Sequence, residues 1–267
     1  TDLHIWDGSY ALANYPVVPG HEFAGVVAAI GNNVTKFKTG ERVTADPNLP
    51  CNKCEFCVRG QYNQCLNLGA VGVTRDGAFA GYVAVPESAV YSIGDMPFSQ
   101  AALIEPLACV AWGMQQVQIH RGDNVLIFGA GPMGSLMLQA VKSAGAASVV
   151  MVDKEEWRLE LSKKLGATQI INAAELNAKT FKDIAPHDFD IVADATGVVS
   201  VIEQTFSRKH RHDWEWCSKS RAAYFTPVGT RAVRGRFRTR CQKPHTDESA
   251  IYNRIKSSSQ HDFPTEF

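Results

Sequence analysis

The sequence predicts an α/β plus β fold, in which a small β-barrel or sandwich with a Cys-rich loop is followed by a doubly wound parallel sheet. Three observations predict it. Residues 17–47 are short apolar runs broken by Gly and Pro, as expected of short strands joined by tight turns. Four cysteines crowd into residues 51–65. From residue 124 onward, apolar runs of strand length alternate with segments of helical spacing, the pattern of strands linked by crossover helices.

At 267 residues the chain is long enough for two domains. Its hydrophobic content of 45% supports a buried core, and no apolar run reaches the roughly 18 residues of a membrane span. The first residues lack the charged-then-apolar start of a secretory signal, so a soluble, cytoplasmic protein is expected. A net charge of zero hides an asymmetry: residues 1–206 carry 14 Lys and Arg against 21 Asp and Glu, and residues 207–267 carry 13 against 6. The acidic body argues against nucleic acid as a partner, since phosphate binding needs a basic face.

Val17-Val18-Pro19-Gly20, Gly25–Gly31 and Gly40-Glu41-Arg42-Val43 are the first strand pieces, and further pieces return at Gly81–Val85 and Val90–Ile93. Ser99 to Gln116 has the apolar spacing of a helix. Asn124–Phe128 is a strand. Pro132–Gly145 is a helix with Pro in its first turn and Gly at its end. A strand at Ser148–Val152, a helix at Glu155–Leu165 closed by Gly166, and strands at Gln169–Ile171 and Phe189–Ala193 continue the alternation. Val199–Phe206 begins another helix. Beyond Phe206 no period of 3.6 or 2 persists, and no internal repeat is visible anywhere.

Cys51, Cys54, Cys57 and Cys65 read C-x2-C-x2-C-x7-C. Four thiolates close a tetrahedral shell around Zn²⁺, which suits a structural site, and the close spacing keeps loop entropy small. Lys53 and Arg59 are expected to offset part of the negative charge. Four unrelated thiols, or a zinc knuckle for nucleic acid, are the alternatives; the clustering opposes the first and the acidic surroundings the second.

Gly129-Ala130-Gly131-Pro132-Met133-Gly134 is G-x-G-x-x-G after a strand and before a helix, the context in which the motif marks a dinucleotide. Gly129 permits the tight turn, Gly131 lets a pyrophosphate approach the backbone, and Gly134 lets helix and strand pack. The helix N-terminus beginning at Pro132 and Met133 favours phosphate charge. Asp153 closes the next strand, where a carboxylate accepts from the ribose hydroxyls and repels a 2′-phosphate, so NAD is expected over NADP. Capping the following helix is an alternative role for Asp153, compatible with the first.

Gly20-His21-Glu22-Phe23-Ala24-Gly25, followed by Gly31 and Val34, fits the pattern G-H-E-x2-G-x5-[GA]-x2-V. With the four-Cys loop, this segment resembles the zinc-dependent medium-chain alcohol and polyol dehydrogenase family over residues 1–206. The resemblance implies a GroES-like catalytic domain at 1–98 with its zinc lobe at 48–68, and an NAD-binding Rossmann domain at 99–206. It implies a second, catalytic zinc held by a Cys, by His21, and by Glu105 of Ile104-Glu105-Pro106-Leu107-Ala108. Glu22 is either a direct ligand or stands just behind His21. The alternatives are a core histidine for His21 and a helix-terminal carboxylate for Glu105. Glu-Pro-Leu at this point resembles the sorbitol, arabitol and threonine dehydrogenase branch.

Thr1-Asp2-Leu3-His4 resembles the segment just after the family's first Cys ligand, so that ligand is expected to be missing from this sequence. By resemblance, Thr1 holds the substrate hydroxyl and His4 relays its proton; a plain surface histidine is the alternative. Arg158 matches a basic residue near the adenosine ribose, and Thr196 of Asp194-Ala195-Thr196-Gly197 a loop beside the cofactor. The implied activity is hydride transfer from a secondary alcohol of a polyol to NAD, in a homodimer or homotetramer. A threonine dehydrogenase and a non-catalytic, zinc-stapled NAD-binding protein are the rival readings. Residues 207–267 depart from the family pattern, and three readings are open: a basic tail for nucleic acid or membrane, a divergent folded end, or an out-of-frame translation. On the last, a poorly active chain is expected.

Overall fold

The computed structural model describes residues 1–176, 183, 189–201 and the backbone of 221–224, all within one compact unit, Thr1–Arg234. The fold class is the expected one, a GroES-like β lobe followed by a Rossmann parallel sheet.

The β lobe opens on a single helical turn, α1 (Asp2–Trp6), pinned by buried Ile5, whose carbonyl accepts from Tyr15 Oη at 2.8 Å. Strands β1 (Ala24–Val26), β2 (Arg42–Ala45) and, later in the chain, β5 (Val90–Ser92) form an antiparallel sheet in the order β1-β2-β5. Buried Thr44 donates its hydroxyl to Phe23 O at 2.8 Å. Strands β3 (Asn48–Leu49) and β4 (Gly69–Ala70) pair at the base of the Cys-rich loop, which carries the short helix α2 (Glu55–Val58). The described strands make an open three-stranded sheet and a two-stranded ribbon. Gly81–Val85, expected as a strand, forms none among the described residues. Alternating apolar residues mark half-buried extended chain, but pairing needs a neighbouring edge, which periodicity does not encode.

Arg42 ties this lobe to the segment before the first long helix. Its Nε and Nη2 donate to Gly94 O and Met96 O at 3.0 and 2.6 Å, and its guanidinium lies 4.0 Å from the Phe98 ring centre. The expected Ser99–Gln116 helix is broken into α3 (Phe98–Ala101) and α4 (Ile104–Val117). Pro106 is the reason: in a continuous helix its ring would meet the carbonyl of Ala102, and it has no N–H to donate there.

The second half is a parallel sheet in the order β10-β9-β6-β7-β8, built from β6 (Asn124–Phe128), β7 (Ser148–Asp153), β8 (Gln169–Asn172), β9 (Ile191–Asp194) and β10 (Arg221–Tyr224). Numbered from β6, this is the order 3-2-1-4-5 of dinucleotide-binding sheets, whose switch point lies beside the first strand. The central strands are buried on both faces, so they read as unbroken apolar runs. Val125, Ile127, Val149, Met151, Ile191 and Ala193 face α4 and α5 (Pro132–Ser143), with Leu159 of α6 (Glu156–Lys164) in the same cluster. Leu126, Phe128, Val150, Val152, Ile171 and Phe189 fill the other face.

Two boundaries move. The strand expected at Phe189–Ala193 runs Ile191–Asp194; just ahead of it Asp190 N donates to Asn124 O at 3.0 Å and its carboxylate accepts from Asn124 N at 2.9 Å. β10 falls inside the tail after Phe206, where the sequence offers at best a faint strand at 222–229; parallel pairing with β9 recruits it, although its sequence lacks the apolar run of a central strand. Residues 199–201 are helical. The rest of that expected helix, and the remainder of the tail with its three readings, lie outside the described residues.

The sheet and α5 meet through backbone. Gly129 takes φ +94, and a Cβ there would lie 2.9 Å from the Ala195 carbonyl carbon. A Cβ on Gly134 would overlap Gly129 O, while one on Gly131 meets only Arg158 Nη1, at 4.0 Å. Gly134→Ala is therefore expected to destabilise the chain by about 1–3 kcal/mol or more, read as a lower denaturation midpoint. Gly131→Ala is expected to leave that midpoint near the wild-type value.

Candidate active site

His21 is placed by backbone packed on backbone. Residues 77–79 cross 18–20, with Gly77 N, Ala78 N and Phe79 N donating to Val18 O, Gly20 O and Pro19 O at 2.7, 2.8 and 3.0 Å. A Cβ on Gly77 would overlap Gly20 O, and one on Gly72 would lie 2.7 Å from that oxygen and 3.0 Å from His21 N. Gly20 itself takes φ +101, which turns the chain so that His21 leaves the crossing toward α1.

There Asp2, in the first turn of α1, accepts from Gly20 N at 3.2 Å and meets His21 Nδ1 at 3.0 Å through the same oxygen. A carboxylate opposite Nδ1 favours the tautomer protonated there and leaves the Nε2 lone pair free. Nε2 lies 3.7 Å from Glu22 Oε1. Glu105 reaches the same point from the first turn of α4, and one ligand atom each from His21, Glu22 and Glu105 lie within 4.8 Å of one another. Tetrahedral bonds of about 2.0–2.2 Å place ligand atoms roughly 3.3–3.6 Å apart, so this set fits a divalent cation with one position open.

Burial raises the Glu105 carboxyl above its ordinary value. His21 partly offsets this, and the carboxylates of Glu22, Asp46 and Asp2 add to the rise. One turn along α4, burial pushes the Cys109 thiol up to about 11, with Glu105, Asp46 and Glu22 adding to it. The pocket is thus crowded with negative charge around one imidazole, the environment that a cation relieves.

The sequence reading missed Asp2 and Asp46 as partners of this cluster, along with Cys109 and the glycine crossing at 72 and 77. A spacing of four on α4 would have found Cys109; no local signal links Asp2 to His21. Thr1 stands at the N-cap of α1, its carbonyl accepting from Ile5 N at 2.9 Å. His4 is turned outward on the same helix, with Nδ1 3.1 Å from Ser9 Oγ and 3.8 Å from Asp7 Oδ2.

The four sulfurs of Cys51, Cys54, Cys57 and Cys65 also lie within 4.8 Å of one another. Cys51 and Cys57 Sγ are 4.0 Å apart, close to the edge of about 3.8 Å that a tetrahedron with 2.3 Å Zn–S bonds requires. Backbone N–H groups, not basic side chains, favour the thiolates. Those of Lys53 and Cys54 lower the Cys51 thiol, and those of Cys57 and Leu66 bring Cys54 down to about 6. Arg59, expected to offset the thiolate charge, pairs with Glu55 at 3.4 Å, its neighbour one helical turn back. Burial, with the neighbouring thiols, drives Cys57 up to about 12, which opposes a fourth thiolate and favours a cation among the sulfurs.

Around the glycine loop, buried Asp153 accepts from Ala130 N at 2.7 Å and from Glu155 N at 2.9 Å, one oxygen each. It therefore braces the loop and the entry to α6, whose N-cap is Glu155; its remaining lone pairs stay available. Arg158 Nη1 lies 3.9 Å from Asp153 Oδ2. Pro132 is the first residue of α5, and Met133 packs on the sheet's core, which leaves its backbone to face the loop. Thr196 donates N and Oγ1 to Asp194 Oδ1 at 3.3 and 2.6 Å, and its methyl lies 3.1 Å from the Cβ position of Gly129. The open space over Gly131, beside an arginine and a helix N-terminus, fits a pyrophosphate.

The raised Glu105 fixes the sign of one pH effect. Its protonated form is favoured on folding, so the stability it contributes is complete below the ordinary value of 4.5 and is lost as pH climbs through the raised one. In chelator, the thermal midpoint of the wild type is expected to fall relative to Glu105→Gln as pH rises from 4.5 to the raised value, and to level off above it. A difference between the two that does not change with pH refutes this.

Residues 1–95 match the alcohol dehydrogenase GroES-like domain, and residues 132–208 the zinc-binding dehydrogenase domain. D-altritol 5-dehydrogenase of Agrobacterium fabrum is 44% identical over 207 residues, covering 76% of this chain and 60% of that protein. Sorbitol dehydrogenase of Bacillus subtilis is 37% identical over 184 residues, covering 67% and 52%. The crystal structure of galactitol-1-phosphate dehydrogenase from Escherichia coli superposes with a TM-score of 0.72 at 30% identity, covering 93% of this chain and 67% of that one. The chain spans 52–62% of the length of curated relatives it matches. With both domain types in the order that the two candidate sites require, the chain belongs to the zinc-dependent medium-chain alcohol and polyol dehydrogenase family.

Proposed function

We propose that the protein oxidises a secondary alcohol of a sugar alcohol with NAD, using one zinc ion at His21, Glu22 and Glu105 and a structural zinc at the four cysteines. The observation that carries this reading is the convergence of His21, Glu22 and Glu105, from two separate parts of the chain, within 4.8 Å. The glycine loop at the switch point of the sheet supports the cofactor half. The names of the three relatives, all dehydrogenases of sugar alcohols or their phosphates, favour a polyol over threonine.

When bound, the zinc supplies Lewis acidity toward an alcohol oxygen and the nicotinamide supplies the hydride acceptor. The chain's own groups do the rest. Asp2 orients His21 and keeps its Nδ1 protonated. Glu22 and Glu105 set the charge of the site. Thr1 receives the substrate hydroxyl, and outward-facing His4 passes its proton to solvent. Gly129, Gly131 and Gly134, with the backbone of Pro132 and Met133, receive the pyrophosphate. Asp153 and Arg158 take the adenosine ribose, and Thr196 lines the cofactor's path. Residues 1–98 form the catalytic domain, and the nucleotide domain begins at residue 99, its sheet extended by β10.

No helix among the described residues is long and apolar enough to cross a membrane. Five free cysteines among the described residues, four of them clustered, suit a reducing compartment such as the cytoplasm. The acidic body favours a small-molecule substrate over nucleic acid. Exposed Val58, Tyr62 and Leu66 on the Cys-rich loop favour a homo-oligomer.

After zinc loading, metal analysis of the full chain is expected to give two zinc ions, one lost in Cys54→Ser and the other in His21→Ala. Asp2→Ala is expected to weaken the second by about 10–100-fold. In polyol-dependent NADH formation, His21→Ala is expected to abolish turnover. A His21→Ala chain that keeps both ions, or keeps turnover, overturns the proposal.

A further inference from the structure

Three distances place the Arg158 guanidinium. Its Nη1 lies 3.9 Å from Asp153 Oδ2 and 4.0 Å from the Cβ position of Gly131, and its Cζ lies 5.2 Å from the ring centre of Trp157. The first two place the guanidinium at the mouth of the glycine loop. The third is unusual in origin, since adjacent residues on a helix point about 100° apart. The guanidinium nevertheless lies over the indole face. Trp157 has 64% of its surface exposed, on the first turn of α6. That large apolar ring contributes little burial, so its presence calls for another explanation.

We propose that Trp157 is a positioning residue for the cofactor: its indole face holds the Arg158 guanidinium over the glycine loop, ready for the anionic adenosine half of the dinucleotide. This rests on the NAD-binding reading. An unrestrained arginine spreads over many rotamers and loses that freedom on binding. A ring on one side and the Asp153 carboxylate on the other remove part of that loss in advance. The ring also leaves the N–H fork free, because a cation stacked on an aromatic face keeps its donors in plane. Trp157 touches no reacting atom in this scheme and acts only through Arg158.

A double-mutant cycle on the full chain tests it, with NADH as the titrant and its fluorescence as the readout. Trp157→Ala is expected to weaken NADH binding by about two- to fivefold, the scale of an exposed cation–ring contact. Arg158→Ala is expected to weaken it by about tenfold or more. The double variant is expected to match Arg158→Ala alone, and Trp157→Phe to recover most of the loss. Because Trp157 is exposed, the thermal midpoint without cofactor should stay at the wild-type value. Binding unchanged in Trp157→Ala, losses that multiply in the double variant, or no recovery with Phe each overturn the positioning role while NAD binding stands. A wild-type chain that binds no NADH overturns both.

Discussion

Backbone contacts that exclude a side chain hold both halves of the candidate site. In the β lobe, Gly72 and Gly77 let one segment lie directly on Gly20, and that contact sets the exit direction of His21. In the parallel sheet, Gly134 lets α5 start against the carbonyl of Gly129, and Gly129 rests on the Ala195 backbone. Packing of this kind is rigid because it involves main chain on both sides, with no rotamer to relax. It is also local in its consequence: each contact fixes a loop that carries polar groups which no hydrophobic core could place.

Electrostatics then acts on a fixed frame. Asp2, Glu22 and Glu105 converge on His21, and burial adds to the repulsion that Glu22, Asp46 and Asp2 exert at Glu105. Such a cluster opposes its own ionisation until a cation enters, which couples metal affinity to proton release. The four-Cys loop solves a similar problem differently. Main-chain N–H groups favour two of its thiolates, while Cys57 is held far from ionisation until a metal enters. Three ligands of the first kind would leave a tetrahedral ion one open position, whereas four thiolates would close its shell, the physical distinction between a reactive and a structural ion.

Much of this was legible in the sequence because the relevant signals are short-range. The parallel strands announced themselves as apolar runs, since strands buried on both faces have no polar side. The cysteines and the glycine loop lie within a few residues of one another, so spacing and geometry are nearly the same statement. Glu105 and His21 were harder, being 84 positions apart in number, and were paired only through family resemblance. The Ser99–Gln116 helix failed at one residue: periodicity continued through Ala102 and Leu103, and the sterics of Pro106 did not allow it. β10 was legible only as a faint strand at 222–229, because an edge-side strand can be recruited by pairing rather than by its own apolar pattern.

The sequence by itself determined the fold class, the four-Cys cluster, the Gly-His-Glu turn and the glycine loop, because each is written as residue types at fixed short intervals. Tertiary structure alone decided that Asp2 meets His21 Nδ1, that Asp153 braces Ala130, that Arg59 pairs with Glu55 rather than with the thiols, and that Gly77 lies on Gly20. Apart from the Arg59 pair, which was a choice between nearby partners, these contacts join segments whose separation carries no period or motif. They depend on where whole elements pack, and only the folded chain supplies that.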